Sequence, residues 1–246
     1  MKRAKECWAV SATGGGSVLS WRPRGFPESL IFPPQDVMVG DGARNRGGGF
    51  PCCPIFGPMP NSRPYAGISL PKHGLIRQHP FAKRPKRLRR GQMKSVMWFY
   101  EPWDHSVGVR IAVSNNGYFL KHEITVRNNG RSPMPISLGF HPYFSTDGRP
   151  FEIRHGNRSV KSESIQRDEP LFIRLKGAKL VSLFANGALI TFTLTGYTDV
   201  CIWTDNPEKY ICVEPVMKAP HDGDLILAAR QSRTVSCALR VEKLRR

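Results

Sequence analysis

Two stretches in the second half of the chain alternate regularly between apolar and polar positions. Within residues 118–127, the even positions from Leu120 to Val126 carry three aliphatic residues and one histidine, and the odd positions are charged or polar. Within residues 234–241, every second residue from Val235 to Val241 is apolar. A period of two is typical of a β-strand with one buried face. Both stretches are therefore predicted to be half-buried strands.

Shorter apolar runs, separated by turn signals, extend this pattern to most of the chain after residue 95. Asn115-Asn116-Gly117 and Asn128-Asn129-Gly130 are typical hairpin turns. Residues 1–65 are rich in Gly and Pro, so strands there should be short. No long amphipathic helix is found, and the prediction is an all-β, large antiparallel two-sheet β-sandwich forming one domain over residues 1–246. The other predicted strands are 96–100, 107–113, 189–195, 200–204 and 210–214.

The chain is strongly basic, with 37 Lys and Arg against 19 Asp and Glu and a formal net charge of +18. Residues 83–94 alone contribute seven positive charges and no acid. Such a balance suits nucleic acid, an acidic surface or a phosphorylated ligand, or is only a solvated surface. No aromatic ladder or known nucleic-acid module accompanies the run, so a surface loop is expected there and nucleic acid is not the expected partner.

The cysteines and the hydropathy give expectations about the compartment. The six cysteines contain no C-x-x-C pair, which argues against a zinc or redox motif and favours buried, reduced thiols. The N-terminus has no apolar stretch of a signal peptide, and no apolar run reaches the ~18 residues of a membrane span. The expected location is the cytoplasm, with no membrane partner. The cysteines are Cys7, Cys52, Cys53, Cys201, Cys212 and Cys237.

Four stretches place ionisable residues among Gly, Pro and aromatic residues. The glycine run at 47–49 allows close backbone approach to a ligand, but it lacks the Lys-Ser/Thr of a phosphate-binding P-loop. Glu214 is an acid inside an otherwise apolar strand, which is out of pattern for a core strand. The stretches are 46–58, 70–77, 139–144 and 210–215.

Each of these residues also has a purely structural interpretation. His141 alone is typical of a hydrogen-bonded core histidine, and Glu214 has many arginines with which to pair. His73 is able simply to close a turn with its neighbouring glycine. Arg46 and Arg77 are two charges among many in a basic protein. No single stretch is specific.

Together and in this order, the four stretches, with Trp203, resemble the aldose 1-epimerase (galactose mutarotase-like) family, including its hexose-6-phosphate mutarotase relatives. The resemblance spans roughly residues 8–242. It implies an elongated two-sheet β-sandwich with a sugar in an open cleft. By resemblance, Glu214 matches the general base and His141 the general acid.

The same resemblance supplies the expected substrate contacts. Arg46, His73 and Arg77 match substrate-contacting positions. Family members carry an aspartate between the histidine and the glutamate, for which both Asp168 and Asp205 are candidates. The predicted substrate-binding set is Arg46, His73, Arg77 and Asp205.

The chemistry of anomer exchange suits these residue types independently. The proton of the anomeric hydroxyl leaves while the ring oxygen gains one, the ring opens to the aldehyde, and it closes again on the other face. A carboxylate and an imidazolium supply two such transfers near neutral pH, and arginines orient hydroxyl groups. No metal and no cofactor are needed.

The sequence leaves several functions open. The first is a mutarotase, an isomerase acting on a free aldose in carbohydrate metabolism. The second is a mutarotase acting on a hexose 6-phosphate, which the net charge and two arginines favour. The third is a non-catalytic carbohydrate-binding module on the same fold, against which the presence of both His141 and Glu214 argues. A monomer or weak dimer is expected.

Overall fold

The computed structural model describes residues 7–11, 14–58, 70–78, 86–87, 93–94, 107–115, 117–176 and 180–244. Two seven-stranded antiparallel sheets dominate this part of the chain. In spatial order, the first sheet contains β1 (Cys7–Val10), β2 (Val18–Arg22), β5 (Gly49–Cys52), β11 (Gly139–Ser145), β18 (Tyr210–Val216), β17 (Asp199–Trp203) and β14 (Leu171–Arg174). The second contains β13 (Arg158–Lys161), β12 (Glu152–His155), β15 (Leu180–Ala185), β16 (Ala188–Thr195), β20 (Ser232–Lys243), β9 (Phe119–Asn128) and β8 (Val107–Asn115).

The described residues also form smaller elements. Three two-stranded ladders join β3 (Gln35–Val39) to β4 (Gly42–Arg46), β6 (Lys86–Arg87) to β7 (Met93–Lys94), and β10 (Met134–Ile136) to β19 (Leu225–Leu227). The helical segments of the described residues are three-residue 3-10 turns, at Ile76–Gln78, Ser162–Ser164 and Pro220–Asp222. Among these residues, none lies in a helix with the length and apolarity to span a membrane.

The all-β prediction is confirmed. The alternating stretches form β9 and β20, which pair with each other, and their predicted apolar faces are the buried ones. Strands within the first 65 residues are four or five residues long, as the Gly and Pro content suggested. The predicted strand 96–100 lies outside the described residues. So does most of the basic run, of which only the β6–β7 ladder is described.

The core lies between the two sheets, which pack face to face. Phe144 of the first sheet meets Phe192 of the second with ring centroids 5.5 Å apart, and Phe140 stacks on His122 of β9. One continuous cluster of buried residues joins both sheets. Because each fully buried aliphatic or aromatic side chain contributes about 1.5–3 kcal/mol, this layer is the main source of stability.

The central strands of the first sheet are covered on both faces. In β18, Ile211 and Val213 point into the core between the sheets, so that Cys212 and Glu214 point to the opposite face. Every residue of β11 and β18 is nevertheless buried. Hairpins and loops therefore cover the outer face of these strands. This face forms the floor of a cleft.

The thiols meet the expectation drawn from their spacing. Cys52, Cys53, Cys201, Cys212 and Cys237 are all free and buried. Burial raises the pKa of each of these thiols, which favours the protonated form when no metal is bound.

His122 is the exception in the core. Its ring stacks on Phe140 at 4.1 Å, and neither ring nitrogen has a hydrogen-bond partner in the part of the chain that the structure describes. Burial lowers its pKa to about 3. The folded protein therefore holds His122 neutral, whereas the unfolded chain protonates it below about pH 6.5. The unfolded state binds the extra proton, so this residue reduces stability as the pH falls from about 6.5 toward 3.

His122→Leu should remove this acid sensitivity. Between pH 7 and pH 5, the free energy of unfolding of the wild type should fall by about 2 kcal/mol more than that of the variant. Urea unfolding at the two pH values measures the difference. His221→Leu, which removes an exposed imidazole, is the control and should behave like the wild type. Equal losses in the wild type and His122→Leu would show that His122 is not held neutral.

Candidate active site

A row of side chains crosses the outer face of the first sheet. Phe50 of β5 pairs with His141 of β11, and Cys201 of β17 pairs with both Glu214 of β18 and Phe172 of β14. The register of β11 and β18 matches Gly139 with Val216 and Tyr143 with Cys212, which brings His141 opposite Glu214. Directly opposed side chains in antiparallel strands lie within contact distance. Sheet register thus joins two residues that lie 73 positions apart in sequence.

His141 and Glu214 are in direct contact. Nε2 of His141 lies 3.3 Å from Oε2 of Glu214, and the two side chains are only 5% and 2% exposed. The imidazole makes stacked contacts with both Phe50, at 4.6 Å, and Tyr143, at 4.9 Å, and these contacts orient its plane. Trp203 meets its edge at 5.9 Å. The pair is therefore held in a rigid aromatic frame.

Burial controls the protonation of this pair. It raises the pKa of Glu214 well above its usual range, against the opposing effect of Lys72. It lowers the pKa of His141, and the nearby His73, Lys72 and Arg77 lower it further. An ion pair would place two charges at a buried position. The neutral forms of both side chains are therefore favoured. The pair then holds one proton, with a carboxylic acid facing a neutral imidazole.

His73 is fixed by the loop that carries it. Its backbone N–H donates to Gly57 O at 2.8 Å, and its Nδ1 accepts from the Gly57 N–H at 3.2 Å. Burial, with Lys72 and Arg77, lowers its pKa to about 3, so the ring is neutral. Because Nδ1 is an acceptor, the single ring proton lies on Nε2. His73 meets His141 edge to face at 5.1 Å and presents a hydrogen-bond donor beside the pair.

Arg46 is held from behind by Asp205. Nε and Nη2 of Arg46 donate to one carboxylate oxygen of Asp205, at 3.0 and 2.8 Å, and the Tyr210 hydroxyl donates to the other. Asp205 is buried and does not lie among the described residues that line the cleft. The guanidinium also lies 5.6 Å from the centroid of the Trp203 ring. Asp205 thus orients Arg46, and it has no oxygen left without a donor.

Asp168 and Arg77 occupy the cleft wall. Asp168 accepts a hydrogen bond from Trp203 Nε1 at 3.2 Å and lines the cleft. Arg77, on the 3-10 turn Ile76–Gln78, places its guanidinium 5.0 Å from the centroid of the Phe50 ring. Of the two aspartates considered from the sequence, Asp168 is therefore the one with access to a ligand.

Apart from Asp205, these groups face one open cleft of about 680 Å³. Its floor is the row across the first sheet, and its walls are the β3–β4 hairpin and the loops around residues 57, 72, 168 and 220. A volume of this size accommodates a monosaccharide. Its aromatic lining consists of Phe50, Phe56, Tyr143, Phe172 and Trp203.

The sequence of this chain matches the model of a known protein family. The family model of aldose 1-epimerase matches residues 1–226. The chain belongs to the aldose 1-epimerase family. The family is one of epimerases, which places the chain among isomerases in general terms. Comparison with curated proteins finds no sequence match.

Solved structures show that the fold of this aldose 1-epimerase family member is shared. The Slr1438 protein from Synechocystis superposes with a TM-score of 0.75 at 17% identity, over 96% of this chain and 91% of that one. A galactose mutarotase-like protein from Lactobacillus casei gives 0.72 at 13% identity, over 98% and 99%. Another, from Clostridium acetobutylicum, gives 0.67 at 15% identity, over 97% and 93%.

The structure brings five of the six predicted site residues of this aldose 1-epimerase family member into the cleft: Arg46, His73, Arg77, His141 and Glu214. The sixth, Asp205, lies beneath Arg46. Their roles in binding or catalysis stay predictions. Lys72 and Arg44 also line the cleft, but no sequence motif marks them, although Lys72 directly precedes His73 and shares its loop. Phe172 is not marked by a local pattern either, because its strand has only four residues.

One cluster on the outer face of the first sheet, of which His141 and Glu214 line the cleft, has metal-binding side chains. His141, Cys212 and Glu214 each offer one ligand atom, and these atoms lie within 4.8 Å of one another. They combine the imidazole, thiol and carboxylate groups that bind zinc in proteins.

Gly74→Ala should destabilise the loop that carries His73. Gly74 has φ +73°, and a Cβ there would lie 2.1 Å from the backbone oxygen of Cys53. The variant should lose about 3 kcal/mol or more of unfolding free energy, from strain and overlap together. Gly148→Ala, with φ +70° and open space, isolates the strain and should lose about 1 kcal/mol. Urea unfolding measures the free energy of unfolding of both variants. Equal losses would mean that the loop relieves the overlap without further destabilisation.

Proposed function

We propose that this protein is a mutarotase that interconverts the α and β anomers of an aldose. The observation that carries the proposal is the buried His141–Glu214 contact on the floor of an open cleft. Because the two groups hold one proton between them, the pair contains an acid and a base at the same time. Anomer exchange needs this combination, since one oxygen loses a proton while another gains one.

In the proposed reaction, Glu214 removes the proton of the anomeric hydroxyl and His141 protonates the ring oxygen. The C–O bond of the ring breaks, the aldehyde rotates about its bond to C2, and the ring closes on the other face with the roles reversed. The protein alone favours the neutral pair. Transfer of the shared proton along the 3.3 Å contact gives the carboxylate and imidazolium that begin the reaction, and hydrogen bonds from the sugar hydroxyls favour the carboxylate.

The remaining cleft groups position the sugar. The Nε2 proton of His73 and the guanidinium groups of Arg46 and Arg77 donate to hydroxyl oxygens and stabilise the charge that develops on the aldehyde oxygen. Asp168 accepts from a hydroxyl. Asp205 acts through Arg46, which it orients. The five buried thiols support the cytoplasm as the compartment.

Glu214→Gln and His141→Asn should each reduce turnover by at least about a hundredfold, because each removes one of the two proton-transfer groups. The double variant should be little worse than either single variant, since the groups act as a unit. KM should change much less than turnover. Polarimetry on freshly dissolved α-glucose, corrected for spontaneous mutarotation, measures the rate.

Glu242→Gln, which changes an exposed carboxylate on the second sheet, is the matched control and should keep full activity. Full activity in Glu214→Gln would overturn the assignment of the base. A wild type that accelerates no aldose or aldose phosphate would favour a binding module on the same fold.

A phosphorylated aldose is the second candidate substrate. Among the described residues, four cationic side chains line the cleft against two acids, and burial favours the protonated form of one of those acids, Glu214. Such an excess of positive charge suits a substrate that carries an anionic group. The four cations are Arg44, Arg46, Lys72 and Arg77.

Lys72→Ser should distinguish the two substrates. If the phosphate is bound beside Lys72, kcat/KM for glucose 6-phosphate should fall roughly ten- to hundredfold, the loss typical of one hydrogen bond to a charged group. The value for glucose should change far less. Lys121→Ser, on the second sheet, is the control. Equal effects of Lys72→Ser on both sugars would argue against a phosphate at this position.

A further inference from the structure

Three potential metal ligands meet on the outer face of the first sheet. Cys212 and Glu214 are two residues apart on β18, so their side chains project from the same face. His141 lies on the neighbouring strand with Nε2 3.3 Å from Oε2 of Glu214. The three ligand atoms lie within 4.8 Å of one another, and all three side chains are buried.

These distances are close to those of a metal site. In a tetrahedral zinc site with bonds of roughly 2.0 Å to nitrogen and 2.3 Å to sulfur, the ligand atoms are about 3.5 Å apart. The His141–Glu214 pair already lies near this separation. Because the atoms of His141 and Glu214 already have this spacing, closing the cluster around an ion requires Cys212 Sγ to move by about 1 Å. His141 and Glu214 also line the cleft, so that a fourth position faces the solvent.

We propose that His141, Cys212 and Glu214 form a binding site for Zn²⁺, and that the bound ion inhibits sugar turnover in the cleft. Zn²⁺ takes a nitrogen from His141, a sulfur from Cys212 and an oxygen from Glu214, with water from the cleft as the fourth ligand. The ion would thereby occupy both members of the proton-transfer pair. Sugar turnover and zinc binding exclude each other.

The charges around the site are compatible with a divalent cation. Cys212 and Glu214 bind as thiolate and carboxylate, so they release their protons and together cancel the charge of the ion. The occupied site adds no net charge beside Lys72 and Arg77, which line the same cleft. The aromatic frame of Phe50 and Tyr143 keeps His141 oriented toward Glu214.

Metal binding is tested without reference to activity. Titration of the purified protein with Cd²⁺, a probe for zinc sites, should give the ultraviolet absorption of a cadmium–thiolate bond at one ion per chain, and Zn²⁺ should compete for it. Cys212→Ala and His141→Asn should each weaken Zn²⁺ binding at least tenfold. Because His141→Asn keeps every thiol, the proposal stays testable if Cys212→Ala does not fold.

Cys201→Ala is the matched control. Cys201 is also buried and pairs with Glu214 across the β17–β18 ladder, but it is outside the proposed ligand set. Its variant should keep the cadmium absorption and the affinity for Zn²⁺. Absence of binding in the wild type, or a loss in Cys201→Ala with none in Cys212→Ala, would overturn the site.

The inhibitory effect rests on the proposed mutarotase function and has its own readout. Zn²⁺ should abolish the acceleration of anomer exchange, and a chelator should restore it. Cys212→Ala should keep the basal rate and require at least tenfold more Zn²⁺ for inhibition. A protein that binds Zn²⁺ through Cys212 but accelerates no sugar would refute the mutarotase proposal and leave the metal site standing. Undiminished turnover in the zinc-saturated protein would refute the switch.

Discussion

The contact between His141 and Glu214 depends on the hydrogen-bonded register of two strands. A shift of β11 by one residue relative to β18 would turn His141 into the core between the sheets and break the contact. That register is in turn fixed by Phe140 and Phe144, which must face the second sheet. The hydrophobic packing of the sandwich therefore sets the distance between two polar groups on its outer face.

Burial gives this contact its chemical character. In an exposed pair at neutral pH, the glutamate would be ionised and the histidine would lie close to its pKa, whereas the aromatic frame and the sheet favour the neutral forms of both. Burial therefore favours the carboxylic acid form of Glu214 and the neutral, basic form of His141. Lys72 opposes the rise in the pKa of Glu214. For His141, the charges of Lys72 and Arg77 add to the lowering of the pKa by burial.

The sequence predicted the parts of the fold that one strand determines alone. β9 and β20 alternate cleanly because one side of each faces the core and the other faces solvent. Strands such as β14 are four residues long and owe their existence to neighbouring strands, so no local pattern marks them. For the site, resemblance of short motifs named His141 and Glu214. The resemblance did not distinguish Asp168 from Asp205. Only the folded chain shows that both carboxylate oxygens of Asp205 accept hydrogen bonds from Arg46 and Tyr210.

The cleft combines two kinds of support. The contacting pair sits on the inner strands of a seven-stranded sheet, while Arg46 comes from a hairpin and His73, Arg77 and Asp168 come from loops. A sheet interior tolerates little change, whereas loops accept insertions and substitutions readily. Recognition of the ligand and spacing of the pair are thus separable properties of this scaffold. A chain that exchanged its loops for others would acquire a different preference while inheriting the same 3.3 Å contact.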